Sequence, residues 1–255
     1  PNLRAALEKA LGKNEGDAIT KEDLAGLKEL RVNHENKPES AKISDLTGLE
    51  YCTSLTVLDL HSNQLNDISP LTNLTNLTWL HLKYNPLSDV SPLANLTNLT
   101  YLHLGGNQLI NIKPLATLTN LTWLELNANQ LTDVNSLSSL INLIVLDLHG
   151  NQLSDISPLA NLTNLTGLGL SANQISNVSP LTNLTGLKDL SLYGNQITDI
   201  NPLVNLINLT ELTIGRNRIS DISPLANLTK VTVLYIDTNQ ISDISPLTNL
   251  TSLES

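Results

Sequence analysis

Short stretches of the chain alternate apolar and polar positions, and the stretches recur at a fixed interval. Asn63, Asn85, Asn107, Asn129, Asn151, Asn173, Asn195, Asn217 and Asn239 are spaced by 22 residues without exception. Each closes the pattern L-x-x-L-x-L-x-x-N, first as Leu55, Leu58, Leu60 and Asn63, and near the end as Val231, Leu234, Ile236 and Asn239. A degenerate copy, Leu27, Leu30 and Val32, comes before them and runs into a longer connection through Pro38. A short fixed period predicts a solenoid, in which neighbouring copies bury each other's apolar face.

Within one copy, x-L-x-L-x predicts a short strand with Leu inward and x outward. Stacked copies then make a parallel sheet with strands about 4.8 Å apart. The sharp turn after the strand leaves backbone groups unpaired, and the recurrent Asn offers both a donor and an acceptor to neighbouring turns. The return leg, "LSDISPLANLTNL" in one copy, predicts a helix start at Ser-Pro or Asn-Pro, with the polar residue before Pro as cap. Only Ser136 interrupts the Pro column. So few residues leave room for a short 3₁₀ helix, and the wider sheet side bends the stack with the sheet concave and the helices convex.

The consensus "NLTNLTxLxLxxNQLSDISPLA" resembles the leucine-rich repeat family, and within it the bacterial internalin-like subfamily, over nearly the whole chain. The resemblance implies an α/β solenoid: a right-handed superhelix with a concave parallel β-sheet and short 3₁₀ helices outside. The opening "PNLRAALEKALGKNEGDAITKEDLAGLKEL" resembles the helical cap of bacterial members, and "ISDLTGLEYCTSL" their elongated first repeat. The residues agree with a cap. Leu3, Leu7, Ala10 and Leu11 form a helical stripe that stops at Gly12, and Thr20 with Asp23 makes a capping box for a second helix carrying Leu24 and Leu27. The expected organisation is a cap over 1–26 and repeats over 27–255, about ten copies with the first irregular and the last truncated. Pro1 in place of an initiator Met and a stop inside a repeat suggest a trimmed piece of a longer parent, and secretion stays open.

Composition fits a repeated slot. There is no Phe and no Met, so the core must be built from branched aliphatics. The net charge of −10 and the lack of a basic stripe argue against a nucleic-acid partner. No apolar run is long enough to span a membrane. The single cysteine, Cys52, lies 22 residues before Leu74 and reads as a small buried hydrophobe in a Leu slot. There is no nucleophile elbow, Gly-rich phosphate loop or zincin motif, so an enzyme is not expected and neither is a cofactor.

Several recurring polar groups invite a chemical reading. Eleven Asn-Leu-Thr triplets, among them those at Asn73, Asn98 and Asn164, match the glycosylation sequon but follow from the repeat itself. Asp67, Asp89, Asp133, Asp155, Asp199, Asp221 and Asp243 share a column with Asn111 and Asn177. Because Asn can stand in, this column reads as turn and cap acceptors rather than a calcium ladder. His61, His81, His103 and His149 read as outward strand positions, and His34 follows the first strand. His81 and His103, flanked by Asp59 and Glu125, have donors that suit zinc, but no rigid ligand spacing, so no metal site is assigned.

The outward column before each second Leu holds the strongest signal. It runs Glu29, Val57, Trp79, Tyr101, Trp123, Val145, Gly167, Asp189, Glu211, Val233. Three consecutive copies thus carry Trp79, Tyr101 and Trp123, with His81, His103 and Glu125 in the next outward column and Lys83 beyond. Such aromatics rimmed by charge have the composition of an interface centre. The plainer account is cross-strand packing, which explains single aromatics but not three in a row. A second region, Gly167, Gly169, Ser171 and Ala172 beside Asp147, His149, Asp189 and Tyr193, reads either as a bare seat for a protruding partner element or as drift of the repeat.

The expectation is therefore a non-catalytic, monomeric recognition scaffold that binds a protein on its concave face. The candidate binding residues are Trp79, Tyr101, Trp123, His81, His103, Glu125, Lys83, Asp59, His61, Asp147, His149, Gly169 and Tyr193. The internalin-like resemblance implies secretion or display on a bacterial surface, with a host or neighbouring-cell protein as partner. The alternatives are an intracellular regulatory scaffold resembling phosphatase-binding leucine-rich repeat proteins, or the targeting domain of a larger enzyme.

Overall fold

The 22-residue period becomes one strand and one 3₁₀ helix per copy in the computed structural model, which describes residues 2–33, 35 and 37–254. His34 lies outside the described residues. Two compact units, Pro1–Glu125 and Leu126–Ser255, are described in turn.

The first unit opens with two helices, α1 (Asn2–Ala10) and α2 (Lys21–Ala25). On α1, Leu3 and Leu7 are buried as expected, but Ala10 is exposed and Glu8 is buried in its place. Glu8 tolerates this because it accepts from Arg4 at 3.0 Å and from the amide of Gly16 at 3.0 Å. The capping box forms: Thr20 accepts from the Asp23 amide and the Asp23 carboxylate accepts from the Thr20 amide. Leu24 is buried on α2, whereas Leu27 is buried beyond the end of that helix.

Five parallel strands follow in register: β1 (Glu29–Arg31), β2 (Val57–Asp59), β3 (Trp79–His81), β4 (Tyr101–His103) and β5 (Trp123–Glu125). The second unit repeats the arrangement with β6 (Val145–Asp147), β7 (Gly167–Gly169), β8 (Asp189–Ser191), β9 (Glu211–Thr213) and β10 (Val233–Tyr235). Register pairs Leu58 with Leu80 and Leu102 with Leu124, so every inner column is aliphatic. The buried apolar core of the described residues is Leu, Ile and Val, with Cys52 in its Leu slot. Burial pushes the Cys52 thiol up to about 11, as suits a packed rather than a reactive group.

The recurrent Asn does what the turn requires. Asn85 Oδ1 accepts from the Leu65 amide at 3.0 Å, and its Nδ2 donates to the carbonyls of Leu60 and Leu82 at 3.1 and 3.0 Å. The same three bonds recur at Asn107 and Asn151. They recur again at Asn173, Asn195, Asn217 and Asn239. The residue before each such Asn is left-handed, with φ between 51 and 69° from Ser62 to Thr238. Gly106 occupies one of these positions, where its φ of 65° is reached without strain.

One expectation about the return leg is corrected. The polar residue before Pro does not cap its helix: Ser69 is the first helical residue, and Ile68 stands at the cap without a side-chain bond. The acceptor comes from two residues earlier, where Asp67 Oδ1 takes the Ser69 amide at 2.8 Å. The Asp and Asn column makes this bond in every copy from Asp67 to Asp243. That amide would otherwise go unpaired at a helix start, which is why Asn111 and Asn177 serve equally well. The donated amides hold the Asp89, Asp155, Asp221 and Asp243 carboxyls below their ordinary value. The sequon Asn is also used structurally: Asn98 Nδ2 donates to Thr75 O and Asn164 Nδ2 to Ile141 O.

Candidate functional site

The inner Leu of each strand fixes where its flanking residues point, so the outer face of the first unit is set by β2 to β5. Exact register places Trp79 beside Tyr101, and Tyr101 beside Trp123. At the strand spacing their rings meet face to face. Trp79 and Tyr101 stack with centroids 4.9 Å apart and planes 8° from parallel, and Tyr101 and Trp123 at 6.1 Å and 27°. Mutual covering leaves Trp79 and Tyr101 half-buried, while Trp123 is 39% exposed. The rings therefore present their edges outward as a ridge. Burial pushes the Tyr101 hydroxyl up to about 12, with the charges of Glu125 and Asp59 adding to it.

A second row runs alongside. His61 stacks on His81 at 4.5 Å and His81 on His103 at 4.6 Å, and the Trp79 ring meets His81 edge-on at 5.6 Å. A carboxylate serves two rings at each end. Asp59 Oδ1 lies 2.7 Å from His61 Nδ1 and 3.5 Å from His81 Nδ1. Glu125 accepts from Trp123 Nε1 at 2.7 Å, and its other oxygen is 3.0 Å from His103 Nε2. Burial lowers the His81 pKa to about 4, and His103 and His61 push the same way while Asp59 and Glu125 oppose them. His81 is thus a neutral imidazole at physiological pH.

Two expectations about the histidines change. His61 and His149 lie beyond their strands, which end at Asp59 and Asp147. His103 sits at an outward position yet is buried, because the neighbouring rings close over it. Lys83 is turned over the Tyr84 ring, 4.7 Å from its centroid. Tyr84 in turn lies where a Cβ on Gly106 would come within 2.2 Å of it, so that Gly makes room for the ring. Sequence reasoning missed Tyr84 and also Arg31, whose guanidinium covers Trp79 at 4.8 Å. Arg31 shares the register column of Asp59, His81, His103 and Glu125, and following that column back to β1 would have found it.

Asp59, His61, Trp79, His81, Lys83, Tyr101, His103, Trp123 and Glu125 all belong to the first unit's face. Asp147, His149, Gly169 and Tyr193 belong to the second. There Asp147 pairs with His149 at 2.9 Å. A Cβ on Gly169 would meet Asp147 Oδ1 at 2.4 Å, so the bare position accommodates the folded-back carboxylate. Gly167 has ordinary space, with Val145 at 3.6 Å. Tyr193 is 36% exposed and its ring lies near Gly215.

Comparison with known proteins agrees with the geometry. The family model for Leucine Rich repeats (2 copies) matches residues 75–117, 119–161, 163–205 and 207–254, and that for a single Leucine Rich Repeat matches 54–74. The internalin InlF of Listeria monocytogenes is 43% identical, with TM-score 0.95 over 99% of this chain and 73% of its own. Internalin C2 of the same organism is 35% identical, with TM-score 0.63 over 99% of this chain and 90% of its own. The plant peptide hormone receptor RGFR1, solved in complex with RGF2, shares the fold at 24% identity and TM-score 0.71, over 92% of this chain and 44% of its own. No curated protein sequence matches the chain. Among the described residues no helix is long and apolar enough to cross a membrane.

Proposed function

Because the chain belongs to the leucine-rich repeat family, in its internalin-like group, we propose that it is a non-catalytic scaffold that binds a protein through the outer face of its first-unit strands. The observation that carries this reading is the stacked ridge Trp79–Tyr101–Trp123. Nothing in the inner core asks for it, since the same core is built beneath Val, Gly, Asp or Glu elsewhere in the column. Preformed aromatic stacks lose little side-chain freedom on binding, and their edges favour the carbonyls of a partner backbone. The charged rim of Arg31, Lys83 and Glu125 would set orientation, and the ridge would supply most of the affinity.

Asp147, His149, Gly169 and Tyr193 are a secondary part of this reading. The proposal further places the protein outside the cell or on a bacterial surface, as a monomer, with the sheet face concave, the helices of 1–26 as the cap and 27–255 as the repeats. The family relationship supports that setting.

The test is a footprint. A protein captured on the immobilised chain from host-cell extract is purified, and its effect on amide exchange is mapped along the chain. Slowed exchange at residues 79–84, 101–106 and 123–126 is expected. Protection centred on 167–171 and 189–193, or on the 3₁₀ helices, would move the binding face elsewhere.

A further inference from the structure

Three metal-ligating side chains meet on β2 and β3 although the core does not require them there. Asp59 and His81 are in register across the two strands, and His61, just past the end of β2, turns its ring onto Asp59. Their donor atoms all lie within 4.8 Å of one another. Two of the three separations are 2.7 Å, from Asp59 Oδ1 to His61 Nδ1, and 3.5 Å, from Asp59 Oδ1 to His81 Nδ1. Ligands held at about 2.0–2.2 Å around a tetrahedral ion sit about 3.3 Å from one another, close to the 3.5 Å contact, while the 2.7 Å hydrogen bond of the metal-free chain would open slightly to admit the ion.

His81 supplies an independent sign. Its Nε2 is buried and has no hydrogen-bond partner among the described residues, and Nδ1 has only the long contact to Asp59. A buried ring nitrogen with no protein partner leaves the imidazole uncommitted and available to an ion. Its surroundings favour ligation. His103 stacks on the ring and Trp79 meets its edge, which restricts its plane and keeps water away.

We propose that Asp59, His61 and His81 bind a divalent transition-metal ion of the zinc class, with two imidazoles and one carboxylate as ligands and an open position toward solvent. Two nitrogen donors select this class over magnesium and calcium, which take oxygen ligands in larger number. Binding has a structural consequence. A metal lies in the plane of each ring that ligates it, so the His61 and His81 rings must turn out of their present 4.5 Å stack to reach one ion. The proposal does not depend on whether the face binds a protein.

The test is calorimetric titration of the metal-free chain with zinc chloride at pH 7.5, beside magnesium and calcium chloride. One zinc per chain is expected at this site, with a rise in melting temperature and new chemical shifts for the His61 and His81 ring protons. Asp59→Asn, His61→Ala and His81→Ala should each weaken binding by more than the roughly 10–100-fold that loss of an outer-shell partner costs. His149→Ala should leave it unchanged. If the His81 variant fails to fold, the half-buried His61 carries the test, with circular dichroism of the metal-free variants confirming their fold. Zinc binding that survives the three ligand substitutions, no binding by the parent chain, or equal binding of calcium would overturn the assignment.

Discussion

In the first unit the column before the inner Leu holds Glu29, Val57, Trp79, Tyr101 and Trp123; in the second it holds Val145, Gly167, Asp189, Glu211 and Val233. Beneath both columns the strands carry the same buried Leu, except on β10 where Leu234 is half-buried, and the turns carry the same Asn bonds. Two stretches thus meet identical folding demands with opposite outer faces, one of stacked rings and the other of small and acidic side chains. The shared frame of Leu and Asn does not account for the difference. Where the two faces touch their own scaffold, they also differ in how they are satisfied. Asp59 and Glu125 each reach two rings, whereas Asp147 reaches His149 alone and depends on Gly169 for space.

The common frame predicts the largest effect. Asn85→Leu in the first unit and Asn151→Leu in the second each leave one buried amide, of Leu65 or Leu131, without its partner, while the carbonyls they served keep the Nδ2 donor of the neighbouring Asn. At about 1–3 kcal/mol for a buried amide left unpaired, each should lose about that much in urea unfolding. Losses that are large in one unit and under about 1 kcal/mol in the other would show that the frames are not equivalent.

Acid should separate the units. Burial holds His81 at about 4 against 6.5 for an unperturbed His. Between those values the unfolded chain binds a proton that the folded chain refuses, so stability falls as pH drops through that window and falls no further from this source below it. The loss is at most roughly 3 kcal/mol. In the second unit, Asp155, Asp221 and Asp243 carry lowered values, so the stability they contribute is present above 3.8 and is lost only in stronger acid. Both Trp residues lie in the first unit, so Trp fluorescence follows it. Its urea midpoint should fall between pH 7 and pH 4.5, and His81→Gln should flatten that fall. An equally steep fall in the variant would assign it to other groups.

Much of this was legible in the residues. The period, the inner Leu columns, the Asn turns and the Thr20–Asp23 box each follow from a local demand that one residue type meets. The cap of the 3₁₀ helices was misread because Ser stands next to Pro, while the acceptor that reaches its amide is the Asp two residues back. The aromatic column was legible because register turns a 22-residue spacing into adjacency. The degree of covering was not: ring stacking and the burial of His103 depend on side-chain rotamers, which spacing does not specify. Gly169 was open to two readings for the same reason, since its neighbour's carboxylate had to be seen folded over it.

The central claim is that the ridge, and not the bare stretch, carries binding. It is tested most directly by titrating one captured protein partner against the parent chain, Tyr101→Ala with Trp123→Ala, and Gly167→Trp, with melting curves for each. The double substitution should weaken binding by about 2 kcal/mol or more, roughly 30-fold, while losing only the stacking contribution of about 0.5–1.5 kcal/mol in stability. Gly167→Trp, whose Cβ would make ordinary contact with Val145, should change binding less than about threefold. Binding that survives the double substitution but is lost on filling Gly167 would contradict the account and assign the ridge to packing.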